Sequence, residues 1–305
     1  MNTRVVFMGS PDFALPTLVA LINEYDVIGI VTQPDRPAGR GREITSPPVK
    51  KLADQFKLPF IQPLRLRDPQ ALEQLQTWAP ELIVVAAFGQ ILRQDILNIP
   101  SHGCINVHAS LLPCWRGAAP IQASILNGDL ETGVTIIKMD AGIDTGPLLS
   151  QRVITILPDD TAGTLSQRLA NVGAGLLIET LPDYLNLLIT PQTQPEGNAT
   201  YSHMLEKKDG LLDFQISANK LSQRVRAFNP WPGAYTILHG KVLIIHMAHP
   251  IPGFFAEAGM TTVYQGLPAI GTADGLLVLD EVQLAGKRSM LGKDFLSGAR
   301  EWRGH

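Results

Sequence analysis

The first two thirds of the chain alternate between short, almost wholly apolar runs and amphipathic stretches. The runs are Arg4–Met8, Val27–Thr32, Leu82–Ala87 and Cys104–His108. Strands that are apolar throughout are covered on both faces. Strands that alternate with helices in this way predict an α/β fold with a mostly parallel sheet. Asp12 stands where a helix reaching about Asn23 would be capped. A second helix is expected near Val49–Phe56. A long one is expected over Thr161–Leu188, with Ala170, Gly173, Ala174 and Gly175 for close packing. Gln33–Pro48 (QPDRPAGRGREITSPP) has no apolar period and reads as a long loop, a length at which loops are commonly functional.

The pattern changes at Thr190–Thr200 (TPQTQPEGNAT), which is polar and Pro-rich and reads as a linker. Beyond it a helix is expected over Ser217–Phe228. Strand-type runs follow at Ala234–Leu238, Lys241–Met247, Leu267–Gly271 and Gly275–Leu279, separated by turn signals. A small β-barrel is the natural reading. The expected organisation is a domain over residues 1–189, a linker over 190–205 and a second domain over 206–305.

Composition adds limits. A chain of 305 residues, 45% hydrophobic and 17% charged, is ordinary for a globular protein of about two domains. The first residues enter an apolar run without the long apolar core of a secretory signal, and no run approaches the length of a membrane span. Two cysteines, Cys104 and Cys114, make neither a disulfide framework nor a C-x-x-C pair, so reducing cytoplasm is expected. The formal net charge is −3, but residues from Glu206 onward carry +2. That distribution is compatible with an RNA-contacting C-terminal domain without requiring one.

The candidate chemistry lies in two segments. Asn106 and His108, two apart in Cys104–Ser110, share one face if that segment is a strand. Asp144 sits in Asp140-Ala-Gly-Ile-Asp-Thr-Gly146. An amide, an imidazole and a carboxylate supply what acyl transfer to an amine needs: an oxyanion donor, a proton handler and an orienting group. The competing reading is a buried polar network without chemistry. The C-terminal end of an α/β strand, where such folds place their sites, favours chemistry.

Ser110 lacks the Gly-x-Ser-x-Gly nucleophile elbow. Ser110, Leu111, Leu112 and Pro113 read instead as a fixed turn whose main-chain groups could read the edge of a flat heterocycle. Arg36, Arg40 and Arg42 suit phosphate contact from a basic loop. Arg226–Gly233 (RAFNPWPG) reads as a packing knot of aromatics and prolines. The first strand ends in Gly-Ser-Pro, so the dinucleotide fingerprint is missing, and Gly39-Arg-Gly-Arg42 is no P-loop. His246 and His249, three apart in an extended stretch, are expected to face opposite ways. No metal-ligand spacing is present.

Asn-x-His-x-Ser-Leu-Leu-Pro at 106–113, with Asp144 in Asp-x-Gly-x-Asp-Thr-Gly, resembles the 10-formyltetrahydrofolate-dependent formyltransferases. Three further stretches narrow the resemblance: Gln33–Gly41 (QPDRPAGRG), Trp115–Ile121 (WRGAAPI) and Arg226–Pro232 (RAFNPWP). They resemble the members of that family that formylate methionyl-tRNA, and the likeness runs to about Arg303.

The resemblance implies a Rossmann-like catalytic domain followed by an OB-like barrel that contacts tRNA. It implies transfer of a formyl group from 10-formyltetrahydrofolate, a co-substrate, to the α-amino group of initiator methionyl-tRNA for translation initiation. Asn106, His108 and Asp144 would be catalytic. Ser110–Pro113 would lie against the folate, and Arg36, Arg40 and Arg42 would reach the tRNA. No metal and no membrane are expected, and the chain is expected to act as a monomer in the cytoplasm. The alternative is a formyltransferase acting on a small amino-sugar nucleotide. One departure stands out: Cys114 occupies a position where relatives are expected to carry a basic residue.

Overall fold

The computed structural model describes residues 3–38, 43–238, 240–254, 256–299 and 302. It divides into two compact units. The first comprises Met1–Pro120, Glu131–Thr155 and Ser166–Ser202, and the second Ile121–Leu130, Ile156–Leu165 and His203–His305.

In chain order the elements up to Ser202 are β1 (Arg4–Gly9), α1 (Leu15–Glu24), β2 (Asp26–Val31), β3 (Arg36–Ala38), β4 (Glu43–Thr45), α2 (Pro48–Phe56), β5 (Phe60–Ile61), α3 (Pro69–Trp78), β6 (Leu82–Ala86), α4 (Gln94–Leu97), β7 (Cys104–His108), β8 (Arg116–Gly117), α5 (Pro120–Asn127), β9 (Glu131–Lys138), β10 (Leu148–Thr155), α6 (Ala162–Leu185) and β11 (Tyr201–Ser202). The main sheet runs β10-β9-β7-β6-β1-β2-β5. Its β7-β6-β1-β2-β5 part is parallel, as the apolar runs predict. β9 and β10 are antiparallel additions that the apolar runs do not announce.

The parallel strands are apolar because both faces are covered. Val6, Met8, Ile83 and Val85 alternate onto one face and join Leu75 of α3 in a single core. Gly29 of β2 lies so close to the Trp78 ring that any side chain there would collide with it. Under β7, the expected small-residue packing of α6 holds in part. Gly173 admits Val107 and Val134, and Ala170 and Ala174 are buried, but a side chain at Gly175 would meet open space.

Two local expectations change. Asp12 caps no helix. It lies in a 3-10 turn over Asp12–Ala14, and α1 starts only at Leu15, with Pro16 in its first turn. Proline suits that position because a first-turn N–H has no helical partner to lose. The stretch 33–48 is not wholly irregular either: β3 and β4 pair antiparallel, Arg36 with Thr45 and Pro37 with Ile44. Exposed side chains on both strands leave no hydrophobic period to reveal the pairing.

After Ser202 come α7 (Ala218–Ala227), β12 (Ala234–Leu238), β13 (Lys241–Pro252), β14 (Thr261–Tyr264), β15 (Leu267–Gly271), β16 (Gly275–Leu284), β17 (Met290–Leu291) and α8 (Gly292–Gly298). They form an antiparallel sheet, β12-β13-β16-β15-β14, with β17 on β16. Ser217 caps α7, its side chain accepting from Lys220 N. Leu221 and Val225, one turn apart on α7, pack onto Leu243, Ile245, Leu277 and Leu279.

β13 carries a bulge around Met247. It moves the inward set from Leu243 and Ile245 to Ala248. His246 and His249 therefore lie on the same, outer side, contrary to the expectation from spacing. His246 meets Gln283 at 3.0 Å and His249 meets Asp280 at 2.8 Å. An inserted bulge residue inverts the side on which every later residue falls.

In the Arg226–Gly233 stretch Phe228 is buried, but Trp231 is 52% exposed and so is not part of a packing knot. Arg226 Nη1 donates to Asp160 O at 2.9 Å, and burial lowers its affinity for the proton. Among the described residues no helix is long and apolar enough to cross a membrane.

Candidate active site at the C-terminal edge of the main sheet

From β1 the chain winds outward to β2 and β5. From β6 it winds the other way to β7. The winding reverses between β1 and β6, and open α/β sheets bind ligands beyond the strand ends at such a point. A cleft of about 480 Å³ lies there, lined by Ser10 after β1, Phe88 and Gly89 after β6, and Gln33, Arg36 and Thr45 of the 33–48 stretch.

Side-chain bonds build the floor of the cleft. Ser10 Oγ accepts from Gln33 N (3.0 Å), and Gln33 Nε2 donates to Phe88 O (3.1 Å). Arg36 Nη2 donates to Gln33 Oε1 at 3.1 Å. Gln62 (2.7 Å) and Lys50 (2.6 Å) both bond Asp35, and those bonds hold its carboxyl below the ordinary carboxylate range. Arg36 is thus placed at the cleft, while Arg40 and Arg42 lie outside the described residues.

One strand along, β7 presents Asn106 and His108 from the same face. Both are buried, at 9% and 6% exposure. Asp144 arrives from the loop between β9 and β10, held in a left-handed backbone conformation with φ 53°. Its Oδ1 accepts from Asn106 Nδ2 at 3.3 Å, its Oδ2 accepts from Gly117 N at 2.8 Å, and the same Oδ2 lies 3.5 Å from His108 Nδ1. On the other side of the ring, His108 Nε2 lies 3.1 Å from Trp115 O. A carbonyl oxygen only accepts, so Nε2 carries a hydrogen. The Trp115 carbonyl holds that hydrogen on Nε2, which leaves Nδ1, 3.5 Å from the Asp144 carboxylate, as the edge able to take up a proton. The three side chains singled out from the sequence converge.

Ser110–Pro113 forms a turn directly after β7. Ser110 and Leu112 are buried, and only Leu111 and Pro113 keep a half-open surface. Five of its main-chain groups have partners within the protein. Leu112 N donates to Thr135 Oγ1 (3.0 Å), Ser110 O accepts from Thr135 Oγ1 (2.6 Å), and Leu112 O accepts from Gln151 Nε2 (2.8 Å). Leu111 O accepts from Cys114 N and Pro113 O from Thr200 N. The turn also presents the half-open apolar side chains of Leu111 and Pro113. Cys114 is exposed.

Sequence reasoning passed over three groups at the site: the Trp115 carbonyl, the Gly117 N–H and Gln194. The first two are backbone groups, whose part is invisible to residue type. Gln194 lies 50 residues from Asp144, and nothing periodic marks it. Among the described residues no cluster of three or more His, Cys, Asp or Glu could hold a metal ion.

Residues 3–181 match the formyl transferase family, and residues 204–300 match the C-terminal domain of formyl transferases. The chain belongs to the formyl transferase family. A methionyl-tRNA formyltransferase of Myxococcus xanthus (strain DK1622) is 47% identical over 97% of this chain and 95% of its own length. One from Geobacter metallireducens is 45% identical over 97% and 96%. Among solved structures, an N-formyltransferase from Helicobacter canadensis in complex with folinic acid and dTDP-3-aminofucose has a TM-score of 0.68 at 18% identity, covering 92% of this chain and 98% of that one. At that identity the likeness to a sugar-acting formyl transferase shows the fold alone.

Proposed function

We propose that this protein transfers a formyl group from 10-formyltetrahydrofolate to the α-amino group of methionine on initiator methionyl-tRNA. The product is N-formylmethionyl-tRNA, and the protein works as a cytoplasmic monomer. The observation that carries the chemistry is the convergence of the Asn106 amide, the His108 ring and the Asp144 carboxylate at the end of β7. The choice of amine is supported by the curated relatives, 45–47% identical over nearly the whole chain.

The α-amine attacks the formyl carbon on N10 of the co-substrate. A C–N bond forms and the formyl oxygen becomes an oxyanion. Asn106 Nδ2 has two N–H groups. One is held by Asp144, and the other donates to the oxyanion. The Nε2 hydrogen of His108 is committed to Trp115 O. The Nδ1 edge, shared with Asp144, therefore takes the proton leaving the amine and returns it to N10 as the C–N10 bond breaks. No covalent enzyme intermediate is needed. The half-open Leu111 and Pro113 face the folate, with Ser110 and Leu112 holding their backbone. Arg36, with Arg40 and Arg42, contacts phosphates of the tRNA end.

Asn106→Ala and His108→Ala, assayed with saturating 10-formyltetrahydrofolate and methionyl-tRNA, are expected to lose kcat while KM for the tRNA changes little. A near-normal kcat in either variant removes that residue from the chemistry. Offering methionyl-tRNA and an amino-sugar nucleotide side by side tests the acceptor. Faster formylation of the sugar would overturn the tRNA assignment.

A further inference from the structure

The segment from Gln192 to Ser202 is bound to the site at both ends. Gln194 is 6% exposed and has all four of its amide hydrogen-bonding positions in use. Its Nε2 donates to Asp144 O and to Gly146 O, each at 2.7 Å. Its Oε1 accepts from Arg116 Nε (3.1 Å) and Arg116 Nη2 (2.9 Å). Arg116, 1% exposed, is held in turn by Glu196 at 2.7 Å and by Tyr201 Oη at 3.2 Å. The carbonyl of Asp144 is thus fixed by the same chain segment that follows the catalytic fold.

The other end of the segment grips the partner of His108. Thr200 Oγ1 accepts from Trp115 N at 2.9 Å, and Thr200 O accepts from Arg116 N at 2.9 Å. Ser202 O and Oγ bond Ala118 N and Ala119 N. Asp144 and Trp115 both sit at positive φ, 53° and 59°. Residues other than glycine persist in that region when their surroundings over-determine them. The segment therefore bonds the backbone of both residues that orient His108.

We infer that Gln194, Arg116 and Thr200 are positioning residues for the reaction. Residues 192–202 act as a strap that sets Asp144 against Asn106 and His108, and Trp115 O against the His108 ring. This rests on the reading that Asp144 serves the formyl transfer. Misplacing a reacting group by about 1 Å costs on the order of 10²-fold in rate, and each arm of the strap holds one neighbour of His108.

The test uses the full-length protein. Gln194→Met removes two donors and an acceptor at similar volume, Thr200→Val removes only the hydroxyl on Trp115 N, and Arg116→Lys keeps the charge but not the fork. Gln194→Met is expected to lower kcat by about 10²-fold with KM for methionyl-tRNA nearly unchanged, and to shift the pH profile of kcat. Thr200→Val is expected to lower kcat by a smaller factor, also at constant KM. Arg116→Lys should fall between wild type and Gln194→Met.

Thermal midpoints and circular dichroism establish which variants fold. Thr200→Val, the mildest change, carries the test if Gln194→Met does not fold. The inference is overturned if folded Gln194→Met or Thr200→Val keeps wild-type kcat and pH profile while Asp144→Asn is inactive. It is also overturned if kcat and KM change together. Normal activity in Asp144→Asn would instead defeat the reading of the trio on which the strap depends.

Discussion

Replacing Asp144 by Asn changes one atom type and almost no volume, so it probes orientation and charge rather than packing. In the wild type both carboxylate oxygens accept: Oδ1 from Asn106 Nδ2 at 3.3 Å and Oδ2 from Gly117 N at 2.8 Å. The Asn carbonyl would keep the shorter bond to Gly117. Its NH2 group would then face the NH2 group of Asn106, donor against donor. Asn106 relieves that conflict by rotating its amide, which turns its oxygen toward residue 144 and takes the oxyanion donor away.

Losing one such donor costs about 10²–10³ in kcat, or roughly 2.7–4 kcal/mol. The substitution also removes the negative charge 3.5 Å from His108 Nδ1, so the loss should reach the upper part of that range or exceed it. The assay is steady-state formylation of methionyl-tRNA at saturating 10-formyltetrahydrofolate, with tRNA affinity measured separately. A kcat within a few-fold of wild type would refute the argument, because the carboxylate would then be neither setting the Asn106 amide nor acting on His108.

Arg40→Ala and Arg42→Ala should raise KM for methionyl-tRNA and leave kcat at saturation near wild type. For each phosphate that an arginine no longer neutralises, the slope of log(kcat/KM) against log[salt] should flatten by about 0.7–0.9, and an unchanged slope would remove that arginine from the tRNA-binding surface. Gly117→Ala should be harmful twice over. Gly117 has φ 110°, and a Cβ there runs into Ser202 O, so a loss of about 1–3 kcal/mol is expected together with lower kcat as the Gly117 N–H leaves Asp144. A wild-type melting curve and kcat would contradict this. Burial pushes the Cys104 thiol from 9.0 up to about 12. Below about pH 9 the folded and unfolded states both keep that proton and its contribution is complete. As pH rises from 9.0 toward 12 the unfolded thiol ionises first and stability falls by about 1.4 kcal/mol per unit. Cys104→Ala should lack this part of the alkaline loss in urea unfolding, and identical pH slopes would disprove the cause. In the native protein at about pH 8, a thiol reagent should modify the exposed Cys114 and spare Cys104.

The sequence by itself determined the parallel core of the first unit, because strands buried on both faces must be almost wholly apolar, as β6 is and as β1 and β2 are beyond their first residues. It also determined that Asn106 and His108 share a face, since a strand has a side-chain period of two, and the motifs around them place the chain in its family. Tertiary structure decided what spacing along the chain does not encode. It brought Asp144 to the strand pair from the β9–β10 loop, across 38 residues, and fixed it through Gln194, a further 50 residues on. It turned His246 and His249 to one side through a bulge, and it tied Leu112 N and Ser110 O to the Thr135 hydroxyl. Local periodicity records which side of an element is buried. Contacts made across long loops depend on register and backbone conformation at a few residues, and these leave no repeating trace in residue type.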